Sequence, residues 1–189
     1  MTFLREASFA EFALWYMRRD WQKKHADDCP WDELSAAREM RIHHRGKVRP
    51  WYGSGRWRLG RIDSCDEFKR LVFMDSPETQ EEGLVTPAEE SNFRLLEQVA
   101  QNAVEMQYWL RAVDRSFCSY YHGLHSPWAS LKGMHRLVIC ELDPFERKQN
   151  PRGSFYIQDG SARALALACH LLQQSLQFPT VEVFVATRS

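Results

Sequence analysis

The sequence predicts an α/β fold with a small mixed sheet, on three observations. Apolar runs at 136–142, 155–158 and 180–186 bracket an Ala/Leu-rich stretch over 162–176, giving the order strand, turn, strand, helix, strand. The helical stretch is apolar on several faces (Leu165, Leu167, Leu171, Leu172), so it has to be buried against a sheet. Much of the first 115 residues carries helical spacing instead. We therefore expect one domain over 1–189, with the strand-rich core in 135–189 and a largely helical elaboration in 1–115.

Bulk composition narrows the function classes. The chain has 189 residues, 44% hydrophobic and 13% aromatic, enough for a proper core, and its formal net charge is zero. Attraction to nucleic acid would then have to come from a local patch. Cys29, Cys65, Cys118, Cys140 and Cys169 are odd in number with no C-x-x-C spacing, which reads as reduced thiols rather than a disulfide framework or a zinc ribbon. Residues 1–6 lack the apolar core of a signal peptide, and no apolar run reaches membrane-spanning length, so a cytoplasmic protein is expected.

In chain order, Ser8-Phe9-Ala10-Glu11 is a capping box, and Phe9, Phe12, Ala13, Tyr16 and Met17 carry a helix to about Lys24. Arg18, Arg19, Lys23 and Lys24 at its end complement the helix dipole. After Pro30, residues 32–40 read as a short second helix. Between Arg38 and Arg61 the cations Arg38, Arg41, Arg45, Lys47, Arg49, Arg56, Arg58 and Arg61 face one acid, Glu39, with Trp51, Tyr52 and Trp57 interleaved. Cations that follow phosphates and rings that stack on bases are what a single-stranded nucleic-acid site needs. Arg45, Lys47, Arg49, Arg56, Arg58, Trp51 and Trp57 are the candidate contacts; the competing reading is a solvated loop with its tryptophans packed inward. Gly53-Ser54-Gly55 marks a turn or tight hairpin here.

The sign then reverses: Asp63, Asp66, Glu67, Asp75, Glu78, Glu81, Glu82, Glu89 and Glu90 oppose only Lys69 and Arg70. We read this as charge balance within the fold, around a short strand at 71–74. Thr86-Pro87-Ala88-Glu89 is a second capping box, opening a long amphipathic helix through Leu96, Val99, Ala100, Ala103, Val104 and Leu110 to 111–115. Residues 117–134 are aromatic and irregular; His122 and His125 have ligand spacing but no metal-binding partners. Asp143-Pro144 closes the 136–142 strand, and Asn150-Pro151-Arg152-Gly153 is a turn that would make 155–158 its hairpin partner or near neighbour.

The chemistry concentrates at Phe155-Tyr156-Ile157-Gln158-Asp159-Gly160-Ser161-Ala162-Arg163, where a strand stops at Asp-Gly and a helix begins at once. The first N–H groups of such a helix lack intrahelical partners, and with the helix dipole they favour an anion, commonly a phosphate. Gly160 allows close approach, and Arg163 can fork onto phosphate oxygens. Phosphates are thus expected on Gly160, Ser161, Ala162 and Arg163. No Walker A sequence competes with this junction. For magnesium or another divalent cation the candidate ligands are Asp159, Glu141 and Asp143. Glu141, near the end of an apolar strand, is costly there unless paired, metal-bound or at a watery edge.

The Asp-Gly-x-x-Arg motif at 159–163, after a strand and before an Ala/Leu helix, resembles the signature of the ParB/sulfiredoxin superfamily. Across the whole chain, the length, the helical first half and the Asp-Gly-Ser-Ala-Arg form resemble the oncogenic-suppressive-activity (Osa) type of plasmid fertility-inhibition proteins. That resemblance implies a factor that blocks transfer of T-DNA or a rival plasmid through a type IV secretion system, acting as an ATPase and DNase. Asp159, Arg163 and Glu141 would be its catalytic residues and ATP its substrate. DNA, in plasmid, T-DNA or single-stranded form, would be a partner, with a secretion coupling protein or relaxosome component as another. Peripheral placement at the inner membrane through the secretion system would follow. Two departures matter. Ser161 stands where sulfiredoxins carry cysteine, which argues against sulfinic acid reduction, and Ala162 stands where the superfamily usually has histidine. The chain also ends too soon for the helix-turn-helix region of ParB proteins. A non-catalytic inhibitor that occupies the coupling protein or the transferred substrate, and a small-molecule kinase, are the alternatives.

Overall fold

Strands β1 (Thr2–Ala7), β2 (Arg56–Ile62), β3 (Val72–Met74), β4 (Phe93–Leu95), β5 (Leu137–Glu141), β6 (Phe155–Asp159) and β7 (Val181–Thr187) join in one sheet, ordered β1-β2-β7-β5-β6-β3-β4. β7 runs parallel to β5 and β3 to β6; the other neighbours are antiparallel. The computed structural model describes residues 1–44, 49–74, 80–85, 93–124, 136–149, 152–174 and 177–189.

Period-two alternation in the central strands divides the core into two layers. Leu137 and Ile139 of β5, Ile157 of β6 and Val181, Val183 and Val185 of β7 pack on one face. That face is covered by helices α4 (Leu96–Glu105), α5 (Arg115–Leu124) and α7 (Ser161–Gln173), with Phe68 of the short α3 (Cys65–Lys69). Val138 and Cys140, Tyr156, and Phe184 and Ala186 point the other way, against α1 (Phe9–Gln22) and α2 (Glu33–His43). A further short helix, α6 (Pro144–Gln149), links β5 to β6. The expected mixed α/β architecture is therefore present, as a sheet between two helical layers.

Local signals set the N-terminal helices. Ser8 caps α1 by accepting from the Glu11 N–H, and Asp32 and Ser35 cap α2 reciprocally. The helical reading of the first half is otherwise corrected, because β1 to β4 all lie within it. Arg56–Ile62, read as part of a basic loop, is an interior strand paired with both β1 and β7. Its Arg-Trp-Arg-Leu alternation is a strand pattern that the charges obscured: Trp57 and Leu59 are buried, while Arg56 and Arg61 are exposed. The turn expected at 53–55 is there, as a 3₁₀ turn over Pro50–Gly53.

The long helix expected from Thr86 begins in residues outside those described, and the described part differs. β4 precedes α4, and Gln107, in the left-handed region at φ 50°, ends the helix before Leu110, which is exposed. The expected stripe of Val99, Ala100 and Ala103 is nonetheless core. Of residues 117–134, expected to be irregular, 117–124 lie in α5; His125 lies outside the described residues. In the acidic segment Asp63 pairs with Arg61 at 2.7 Å and Glu67 with the N-terminal ammonium, which is local charge balance. No helix among the described residues is long and apolar enough to cross a membrane.

Candidate functional site

The end of β6 is irregular, and the irregularity sets the site. Ile139 pairs with Ile157, but Val138 pairs with Asp159, so Gln158 is an extra residue in β6. Such a bulge re-aims the side chain that follows it. Cross-strand partners share a face, so Asp159 lies with Val138 on the α1 side rather than with Ile157. There Arg19, near the end of α1, forks onto it, Nη1 donating to Oδ2 at 2.6 Å and Nη2 to Oδ1 at 3.2 Å. Arg163, four residues on and one turn into α7, donates from Nη2 to Asp159 Oδ2 at 2.9 Å. One carboxylate thus holds two guanidinium groups, from opposite sides of the sheet.

Gly160 makes the junction possible. It caps α7 at φ 93°, with no side-chain hydrogen bond to the helix, and an added Cβ would lie 2.5 Å from Leu137 Cδ2 and 2.6 Å from Arg163 Nη2. The helix N-terminus has no side-chain cap, and its first residues line a crevice of about 300 Å³. Ser161, Ala162 and Arg163 line the crevice from α7, Arg19 and Lys23 from α1, and Tyr120 from α5.

The electrostatics favour an anion. Arg163 is buried, yet its Nη1 has no hydrogen-bond partner among the described residues, and neither has the Nε of Arg19. Burial pulls the Arg163 guanidinium below its ordinary value, with Asp159 opposing and Arg19 adding to the pull. For Arg19 burial is the largest influence and also pulls down, but the bond and charge of Asp159, with Tyr16 and Tyr120, together leave it raised. Arginine stays charged through shifts of this kind. Arg163, Arg19 and Lys23 line the crevice against two carboxylates, Asp159 and Asp114, and with the positive end of α7 they leave the site net positive.

A polar chain supports the crevice from within the α1/α2 layer. The hydroxyls of Tyr52 and Tyr156 both donate to Gln158 Oε1 at 2.9 Å. The Cys140 thiol lies 2.8 Å from the Tyr52 oxygen, and burial pushes it up to about 12, so it stays protonated and can donate. With Oε1 so occupied, the amide N–H groups of Gln158 are the end left for a ligand; Gln158 also lines the crevice.

Of the expected residues, Asp159, Gly160, Ser161, Ala162 and Arg163 come together. Glu141 and Asp143 do not join them. Glu141 pairs with Phe155, at the far end of β6 and about 13 Å of strand from Asp159. It accepts instead from Arg147 at 3.0 Å and the Arg188 N–H at 3.1 Å, while Asp143 caps α6 and pairs with Arg188. Of the three candidate magnesium ligands only Asp159 lies at the crevice, and the described residues hold no group of three metal-ligating side chains. Asp159, held by arginines on both oxygens, is itself ill suited to bind a cation.

The structure separates the nucleic-acid candidates, with Trp57 in the core and others at the surface. Trp57 is buried and stacks on Phe12 at 4.6 Å, so it cannot meet a base. Arg58 pairs with Glu6 at 3.1 Å, and Arg49 lies over Tyr156 and 3.5 Å from Glu146. Trp51 is half-buried, Arg56 is exposed, and Arg45 and Lys47 lie outside the described residues. Residues absent from the expectation are Arg19, Lys23, Gln158 and Tyr120; for Arg19 and Lys23 the only sequence signal was charge at a helix end. Compared with protein-family models, curated proteins and solved structures, the chain matches none.

Proposed function

We propose that the crevice at the start of α7 binds a phosphate group and that the protein hydrolyses phosphoesters there, with ATP as substrate. One observation carries this reading: a buried arginine, Arg163, keeps an unpartnered Nη1 at an uncapped helix N-terminus. A terminal phosphate on the N–H groups of Ser161, Ala162 and Arg163 would accept from that Nη1. Asp159 acts as a positioning residue that fixes Arg163 and Arg19, rather than as a base or metal ligand. Lys23, at the crevice wall, would meet a second phosphate. Because the expected carboxylates do not form one site, magnesium has no protein cage in this reading; it would arrive on the nucleotide.

The wider role rests on the whole-chain resemblance to the Osa type, carried by the length and by the Asp-Gly-Ser-Ala-Arg form at 159–163. We infer a ParB/sulfiredoxin-like fertility-inhibition factor, an ATPase and DNase that blocks transfer of T-DNA or plasmid DNA through a type IV secretion system. Incubating the purified protein with ATP, magnesium and plasmid DNA tests this. We expect ATP turnover and nicking, with Arg163→Ala and Arg163→Lys lowering turnover about 100-fold or more, the usual cost of one transition-state donor. Wild-type turnover in a folded Arg163→Ala protein overturns the phosphate assignment. Phosphate transfer to a small acceptor would indicate a kinase, and no turnover at all a binding inhibitor.

A further inference from the structure

The end of the β5–β6 pair opposite the crevice holds a second concavity, of about 650 Å³, lined by Glu141, Leu142, Pro144, Arg147, Lys148 and Arg188. We propose that it is a docking groove for single-stranded nucleic acid, separate from the phosphate crevice. The inference rests on the reading that DNA is a partner of this protein.

The groove has the parts that the basic segment lacks once Trp57 is buried. Cations come from two directions, Arg147 and Lys148 from α6 and Arg188 from just beyond β7. Arg56, exposed, sits opposite Thr187 in the ladder and so beside Arg188. Arg147 and Arg188, 50% and 40% exposed, pair with Glu141 at 3.0 Å and Asp143 at 3.7 Å. A phosphate can replace such partners at little cost, since exposed ion pairs are weak.

The walls between the cations are apolar, from Leu142 and Pro144. Phe145, 69% exposed, stands one helical turn before Lys148. An exposed ring among cations serves a splayed base and has no use for a duplex, whose bases are stacked inside. A small concavity likewise admits a bent single strand more readily than a rigid helix. Beside the groove, the Arg188 guanidinium lies 5.7 Å from the Trp51 ring centroid.

The experiment is fluorescence anisotropy of a labelled oligothymidylate between about 50 and 200 mM salt, single-strand binding being steeply salt-dependent. The combined variant Arg147→Gln, Lys148→Gln, Arg188→Gln should bind about tenfold or more weakly. Its salt slope should fall by about 2, as expected for three lost single-strand phosphates. Phe145→Ala, a surface truncation that leaves the fold in place, should also weaken binding about tenfold while leaving the slope unchanged. Anisotropy is read without ATP or turnover, so failure of the crevice reading, which the ATPase assay reports, leaves this test intact. Wild-type affinity and slope in the combined variant would overturn the groove. So would equal binding of duplex and single strand with no effect of Phe145→Ala, or displacement of the oligonucleotide by polyglutamate at equal charge.

Discussion

At the Asp159 end of β6 the side chains of Arg163, Arg19 and Asp159 are 4%, 11% and 14% exposed, whereas at the Glu141 end those of Arg147 and Arg188 are 50% and 40% exposed. Both ends pair arginines with carboxylates, but the consequences differ. Buried charges carry a large desolvation cost, so their geometry is held only if every neighbour agrees. The bulge at Gln158, the bare Gly160 and the Tyr52–Tyr156 pair all serve that agreement. The outer end is pliable, its pairs open to water and exchange. A fixed small anion suits the first and a variable polyanion suits the second.

Removing the shared carboxylate tests the contrast most severely. Asp159→Ala leaves Arg163 and Arg19 facing each other in a buried site, and breaking a buried pair in this way costs about 3–5 kcal/mol. Chemical denaturation should show that loss. A cost under about 1 kcal/mol would mean that water reaches both guanidinium groups and that the crevice is not pre-organised.

How much of this was legible in the sequence depended on distance along the chain. Asp159 and Arg163 are four residues apart on a strand–helix junction, so their sharing one site is a local matter and was expected, though not as an ion pair. Arg19 lies 140 residues from Asp159 and already had a sufficient local reason to be where it is, complementing the α1 dipole. Nothing in the spacing could bring it to β6. Glu141 and Asp143 failed for a different reason. Each stands at the end of a strand, as Asp159 does, but β5 is antiparallel to β6, so like ends lie apart. Strand direction is a property of pairing, which residue spacing does not reveal. Trp57 erred through composition: the segment is rich in rings and cations, but only the alternation in β2 decides which of them face the core.

Gly160→Ala should have an intermediate effect that separates the two roles of the junction. A non-glycine residue at φ 93° is strained, by about 1–3 kcal/mol at positions of this kind. The new methyl would also press on Leu137 and on the Arg163 nitrogen that bonds Asp159. The expected outcome is a modest drop in the unfolding midpoint with a larger loss of ATP affinity, measured by calorimetry on the folded protein. Unchanged affinity would place the phosphate away from the α7 N-terminus.

The smallest effect belongs to the outer end. Arg147→Ala removes a pair with Glu141 in which the guanidinium is 50% and the carboxylate 28% exposed, and such pairs near the surface contribute about 0–1 kcal/mol. Glu141 keeps the Arg188 N–H at 3.1 Å, so it is not stranded, and its carboxylate can take up water where the guanidinium was. Stability should therefore change little at low salt and less still at about 1 M, where the Debye length falls to about 3 Å. A loss above about 2 kcal/mol that persists in high salt would show that the fold depends on the outer arginines as heavily as on Arg163. They would then have little freedom to trade a carboxylate for a phosphate, and the two ends of β6 would differ in exposure alone.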